Sequence, residues 1–429
     1  MRNPHVRSKR IFRRKLEPNL FPPTVEELVP KEHLVRRLRG IAERACGARL
    51  RDLYQDHGGV PYDPVSLFCV EMYGLMLGVR SSRQLEELCK YDSRFWFLTG
   101  SLKPDHITLC RFINRLTSHL PELFATVLEE ARKLGLLKMR VVAVDGSKVE
   151  GNVTQWRRIL DEAKEADRGL IDTDARNLRG ARGQPLKGYN AQVAVDADSG
   201  LIVGQTVSTD ANDMHQMPEV LDAVKDQAGD LPEKVVADAG YDTSETHAEL
   251  EARGVEGWIA LQDLSASFWK LDDENRPVCP AGHFAKPSGI MHLNGRVYQR
   301  LRISQCETCS LRSACGVKDH KCISSPLGVS PAARIRNAHR VLQGGSESPL
   351  RVRGPTVERV FGEMKSNRGF RRFRYKGLRR VRAEFGMECL AHNLRILLRG
   401  LLGRIWSRFW AFAPLSGHQT ALTRLQIAL

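Results

Sequence analysis

Two short apolar runs in this chain each deliver a carboxylate. Val141-Val142-Ala143-Val144-Asp145-Gly146-Ser147-Lys148 and Lys234-Val235-Val236-Ala237-Asp238-Ala239-Gly240 share one build: small or β-branched residues, then Asp, then a Gly that turns the chain. Such runs predict buried strands, and the carboxyl ends of strands in open α/β sheets are where ligands and metals collect. Taken singly, each Asp also suits the cap of a following helix. A third acid strengthens the chemical reading. After Gly354-Pro355, which predicts a helix start with Pro at its first position, Val357, Val360, Phe361 and Met364 form one apolar stripe. Glu358 and Lys365 lie two turns apart and share a neighbouring face. Asp145, Asp238 and Glu358 are hard oxygen ligands of the kind a pair of Mg²⁺ (or Mn²⁺) ions needs, with positions left open for phosphate oxygens and water.

The charge balance names a class of partner. Lys plus Arg number 66 against 50 Asp plus Glu, a formal charge of +16, which points to a polyanion, nucleic acid before membrane. Between Arg351 and Arg382 stand twelve Lys and Arg against two acids, Glu358 and Glu363. Within that run Arg351, Arg353, Lys365, Arg368, Arg371, Arg372, Arg374 and Lys376 are candidate DNA contacts. Phe370, Phe373 and Tyr375 are interleaved, the composition of a surface that neutralises phosphates and stacks on splayed bases. A solvated basic helix is the plainer alternative.

These residues carry a resemblance. The Asp145-Gly146-Ser147 strand end, the Asp238-Ala239-Gly240-Tyr241 turn and Val357-Glu358-x-x-Phe361-Gly362-x-x-Lys365 resemble the three acidic motifs of bacterial insertion-sequence transposases of the DDE class. Gly188 to Asp196 and Gly369 to Gly377 match that group as well, and the likeness runs from about Phe21 to Arg399. It implies a metal-dependent enzyme that cuts and joins double-stranded DNA at its element's terminal repeats and at a target, with the helical N-terminal region binding the ends. Synapsis of two ends implies a homodimer on DNA. The chain departs from the pattern at Gly354, four residues before Glu358, where related transposases often carry an Arg; Arg351 and Arg353 stand close by.

The elements that must position the acids follow in order. Residues 1–20 form a basic arm with no acid before Glu17, either ordering on DNA or solvated. Residues 21–137 are helical throughout: Asp63-Pro64 and Asp105 are N-caps, Ser81 to Gln84 reads as a capping box, and Arg111 and Arg115 lie on an exposed face. This is a helical DNA-binding domain, or else a plain bundle. Residues 138–270 hold strands near 141–145, 189–196, 201–207, 234–238 and 258–260 and helices near 214–227 and 244–253, with a polar stretch at 155–183. That order is expected of an RNase H-like α/β core, a mixed sheet with helices on its faces. Residues 331–404 complete the core and carry Glu358; 405–429 form a tail. Asp196, Asp242 and Glu363 are reserve acids.

Residues 271–330 exceed what such a core needs and hold five of the ten cysteines. Cys306-x-x-Cys309 has zinc-knuckle spacing, and Cys279 and Cys315 complete a four-thiolate set for a structural Zn²⁺; free thiols are the alternative. Cys46, Cys69, Cys89, Cys110 and Cys389 read as core residues. No apolar core follows the basic N-terminus, and Leu390 to Leu402 is interrupted by Arg395 and Arg399 and too short to span a bilayer. The expectation is a cytoplasmic transposase without a membrane segment. A nuclease that never joins strands and a non-catalytic DNA-binding protein are the competing readings.

Overall fold

The computed structural model describes residues 24–54, 61–152, 172–180, 183–293, 295–315 and 319–410, the last ten of these by backbone alone. The basic arm, most of the polar stretch and residues 411–429 lie outside the described residues.

The first part of the chain is helical, from Leu34–Arg51 through Pro64–Met76, Ser82–Tyr91, Ser93–Thr99 and His106–Leu116 to Leu120–Lys133. Its caps are built from short polar side chains that accept orphan amides. Asp63 accepts from the amides of Val65 and Ser66, and Asp105 from that of Thr108 at 2.7 Å. Ser81 precedes its helix, but its hydroxyl makes no capping bond, so the capping box is not formed. The Pro64–Met76 helix is buried on almost every side, which explains why its sequence is apolar around the whole circumference.

A mixed sheet follows: β1 (Val141–Glu150), β2 (Arg176–Arg179), β3 (Pro185–Asp196), β4 (Ile202–Ser208), β5 (Lys234–Ala237) and β6 (Glu256–Ile259). β3 pairs antiparallel with β1, β2 and β4, while β1, β5 and β6 run parallel. The parallel crossovers are the helices Met217–Ala228 and Ser244–Ala252. The edge strand β2 was not foreseen in the sequence. Both outer edges are closed by an asparagine from a helix. Asn393 accepts from the Ile202 amide at 2.8 Å and donates to its carbonyl at 2.7 Å. Asn337 does the same for Ile259 at 3.1 and 3.0 Å. A side-chain amide has one donor and one acceptor to give in this way, and so caps an edge that would otherwise offer itself to another strand.

The N-terminal helices, the sheet and the helix Leu378–Trp410 share one core, in which Phe68, Val144, Val236, Phe385 and Leu394 are all fully buried. The cysteine-bearing segment has its own three-stranded sheet, Lys286–Leu293, Arg296–Arg302 and Cys322–Pro326. A small separate core of Trp269, Cys279, Ala285, Ile303, Ile323 and Ile335 lies beneath it. No described helix is long and apolar enough to cross a membrane.

Candidate active site

Strand register puts two acids side by side. β1 and β5 pair in parallel with Ala143 opposite Val236. Two residues further along each strand come Asp145 and Asp238, on the same face because side chains alternate with period two, and on strands roughly 4.8 Å apart. Burial raises the Asp145 carboxyl to about 6; Arg353 opposes that shift, and the like charges of Asp238 and Asp213 add to it. Arg353 Nη1 donates to Asp145 Oδ2 at 3.0 Å. Asp145 Oδ1 accepts from the Gly146 amide at 2.8 Å, and Asp238 Oδ1 from the Gly240 amide at 2.9 Å, so the capping role open to Asp238 is also filled.

The third acid stands on the helix packed over this face. Val357 and Val360 anchor the helix Arg353–Gly362 by burial, and Met364 continues the stripe into the π-helical turn Glu363–Asn367. Glu358 is exposed, forms no hydrogen bond or ion pair among the described residues, and leans back toward Gly354, 3.4 Å from where a Cβ would stand there. Lys365 does reach the sheet: its Nζ donates to Ser147 Oγ at 2.5 Å and to the Lys148 carbonyl at 3.2 Å. Burial, with Arg371 nearby, lowers its pKa. The structure thus joins Asp145 to Asp238 and brings Lys365 to the same strand at Ser147 and Lys148, but leaves Glu358 apart. Among the described residues no three His, Cys, Asp or Glu side chains are grouped so as to hold a metal ion.

Behind the acidic pair lies a residue that sequence reasoning missed. Asp213 Oδ1 accepts from Lys148 Nζ (2.9 Å), Asn190 Nδ2 (2.7 Å) and Gln192 Nε2 (2.6 Å). Tyr241 donates its hydroxyl to Gln192 Oε1. The network fits only because residue 146 is glycine: a Cβ there would stand 2.4 Å from Gln192 Nε2 and 2.6 Å from Asp213 Oδ1. Asn190 and Gln192 alternate along β3 with apolar neighbours, the one signal in the sequence that could have pointed to this network.

Family models for a transposase DDE domain match residues 136–305 and 278–398, and one for a transposase domain (DUF772) matches residues 23–115. The chain belongs to the DDE transposase family. Its mixed sheet is accordingly the RNase H-like core of such enzymes. No curated protein matches the chain.

In this transposase the basic run after Glu358 is not the open surface its composition suggested. Arg368 is buried, 3.6 Å from Glu363 and 3.4 Å from Glu388, and so is turned away from any DNA. Phe370 and Phe373 are buried edge to face, 5.2 Å apart, with Phe385 and Tyr189 as further neighbours; they are core residues, not base-stacking platforms. The physical reason is strand-like docking of this segment on β1, where the Glu150 carbonyl accepts from the Phe373 amide at 2.8 Å. Arg372 donates to the Gly151 carbonyl at 3.0 Å, Arg374 pairs with Glu384 at 3.1 Å, and Lys376 is half-buried. Arg353 is engaged by Asp145. Arg351 and Arg371 are exposed.

The reserve acids have structural partners. Asp242 is held down to about 2, against the upward push of its burial, by His247 at 2.9 Å and Arg334 at 2.9 Å. Asp196 accepts from the Ser199 amide and hydroxyl in the hairpin turn, and Glu363 pairs with Arg395.

Cys279, Cys306, Cys309 and Cys315 line one cavity of about 30 Å³ with His283 and Lys321. Cys306 Sγ accepts from the Lys321 amide at 3.3 Å. Cys322 is exposed. Of the other five cysteines, Cys46, Cys69, Cys89 and Cys389 are buried and Cys110 half-buried.

Proposed function

We propose that the chain binds the ends of an insertion element, cleaves the DNA there and transfers the strands to a target. The observation that carries this reading is the in-register pair Asp145 and Asp238 on the sheet face beneath the helix of Glu358 and Lys365, in a chain of the DDE family. The donor set fits Mg²⁺ or Mn²⁺: two carboxylates side by side on a largely buried sheet face are hard oxygen ligands of the kind a divalent ion takes. When bound, such an ion supplies Lewis acidity and activation of an oxygen nucleophile.

The chain's own residues do the rest. Asp145 and Asp238 hold the ion from the rigid sheet, and Glu358 supplies a third carboxylate from the helix above, where no bond restrains its side chain. Lys365, steadied by Ser147, offers an ammonium to the scissile phosphate. Arg353 keeps Asp145 aimed across the site and offsets its charge. The helical N-terminal region grips the ends, and two copies act together on two ends in the cytoplasm. Cleavage of a duplex carrying the element's ends, followed by strand transfer to a plasmid, tests this reading. Loss of both in Asp238→Asn supports it. Cutting without joining replaces it with a nuclease, and binding without cutting replaces it with a regulator.

The cofactor reading extends to the cysteine segment. We infer a structural Zn²⁺ held by Cys279, Cys306, Cys309 and Cys315. The four thiols line one small cavity without yet forming a ligand cluster, so the ion would draw them into its tetrahedron; one of them already accepts a backbone amide as zinc-bound thiolates do, and a core this small gains from a crosslink.

A further inference from the structure

A cleft of about 850 Å³ runs along the flank of the Glu358 helix, between that helix, the turn before β1 and the later half of the Leu378–Trp410 helix. Its walls carry Lys138, Arg140, Arg351, Arg359, Arg395 and Arg399, and only two acids, Asp198 and Glu363. Those acids are spent locally, on Arg140 at 2.9 Å and on Arg395. Lys138, Arg351, Arg359 and Arg399 are exposed, and their side chains form no hydrogen bond or ion pair among the described residues. Four unpaired cations facing one cleft, with its acids already engaged, set up a positive field that draws a polyanion between its walls.

We propose that this cleft binds the sugar–phosphate backbone of duplex DNA next to the cleavage site. The assignment rests on the transposase reading and joins Arg351 and Arg359 of the basic run to Lys138 and Arg399 from distant parts of the chain. Arg359 follows Glu358 directly and lies about 100° round the helix, so the cleft runs along the flank next to the one that carries Glu358. Arg140 precedes β1, five residues before Asp145, and a strand rise of about 3.3 Å per residue separates them by roughly 16 Å. At about 3.4 Å of helix axis per base pair that is roughly five base pairs. A duplex laid along β1 with its scissile phosphate at Asp145 presents its flanking backbone to the cleft. The cations there meet phosphates rather than bases, so the contact is independent of sequence.

The test is the salt dependence of binding of the full chain to a duplex of arbitrary sequence. Each cation neutralising a phosphate contributes about 0.9 to the slope of log K against log salt. The double variant Arg359→Ala with Arg399→Ala is expected to lower the slope by about 1.8, and Arg351→Ala alone by about 0.9. A matched pair on the cysteine segment, Lys270→Ala with Lys286→Ala, is expected to leave it unchanged. A cleft variant with the wild-type slope overturns the assignment while leaving the transposase reading intact. So does a matched pair that lowers the slope equally. A wild type that binds no duplex overturns both.

Discussion

Arg353 Nη1 stands 3.0 Å from Asp145 Oδ2, bridging the first residue of the Glu358 helix to the strand that carries the first acid. The contact joins the two elements that must be registered for three carboxylates to act together. It also answers the departure at Gly354: the arginine that meets the acidic site comes from one residue earlier. A hydrogen bond to a charged group is worth about 1.5–3 kcal/mol, or roughly 10- to 100-fold in rate if it is made in the transition state. Arg353→Ala is expected to slow DNA cleavage by about that factor at saturating Mg²⁺, with Arg353→Lys recovering part of the loss. An unchanged cleavage rate in Arg353→Ala would show that the pair only braces the fold.

The raised pKa of Asp145 makes cation binding depend on pH. With its carboxyl at about 6, a proton competes for the same oxygens below that value, and the carboxylate is free above it. Mn²⁺ affinity, measured by calorimetry, is expected to weaken as pH falls through 6 and to be accompanied by proton release there. Asp145→Asn removes both effects. Affinity that stays flat between about pH 5 and 7 contradicts the assignment of Asp145 as a ligand.

How much of this was legible depended on how local the cause was. The strands ending in Asp145 and Asp238 announce themselves because an uninterrupted apolar run must be covered on both faces. The stripe of Val357, Val360 and Met364 fixes which side of the Glu358 helix is buried. Arg368, Phe370 and Phe373 were misread because composition cannot show that their segment docks on the end of β1, more than two hundred residues earlier. Nor could Glu388 and Glu384 be recognised as buried counter-ions waiting for Arg368 and Arg374. Asp213 lies in a polar loop with no periodicity. Its role is set by Lys148, Asn190 and Gln192, which only the β1–β3 register brings together.

Arg368 and Arg371 separate core from surface in one experiment. Removing Arg368 takes one of two arginines from buried Glu388, which keeps Arg80 at 3.1 Å, a change that costs about 1–3 kcal/mol. Arg368→Ala is expected to lose that much stability in urea titration, whereas Arg371→Ala, on the exposed side, shifts stability by less than about 0.5 kcal/mol. If Arg368→Ala unfolds like the wild type, the buried pairing described here is not what holds that helix in place.

Glu71 gives the fold its own pH dependence. It is buried in the Pro64–Met76 helix, and burial raises its carboxyl to about 8, with Arg374 pulling the other way. The folded state therefore keeps a proton that the unfolded chain, with a value near 4.5, gives up earlier. The stability from that proton is complete below about 4.5, and it is lost as pH rises to 8. The range corresponds to a swing on the order of 5 kcal/mol. Glu71→Gln keeps the shape without the ionisation, so its unfolding free energy should decline less steeply over this range than that of the wild type. Parallel curves for the two proteins would mean that the carboxyl is solvated when charged.

The cysteine segment provides the last prediction. Cys306 lines the four-thiol cavity and already accepts the Lys321 amide, while Cys322 is exposed. A closed zinc site needs all four ligands, because a structural metal is held by its complete tetrahedron. Purified protein is expected to contain one zinc per chain. Cys306→Ser should lose it together with the cooperative melting of this segment, and Cys322→Ser should keep both. Chelation of the wild type should loosen the three-stranded sheet, whose core otherwise consists of only a few side chains, and leave the main core folded, since Val144, Val236 and Phe385 belong to a separate cluster. Protein that carries no zinc when prepared with the metal present, or that carries it equally in Cys306→Ser, establishes these thiols as free.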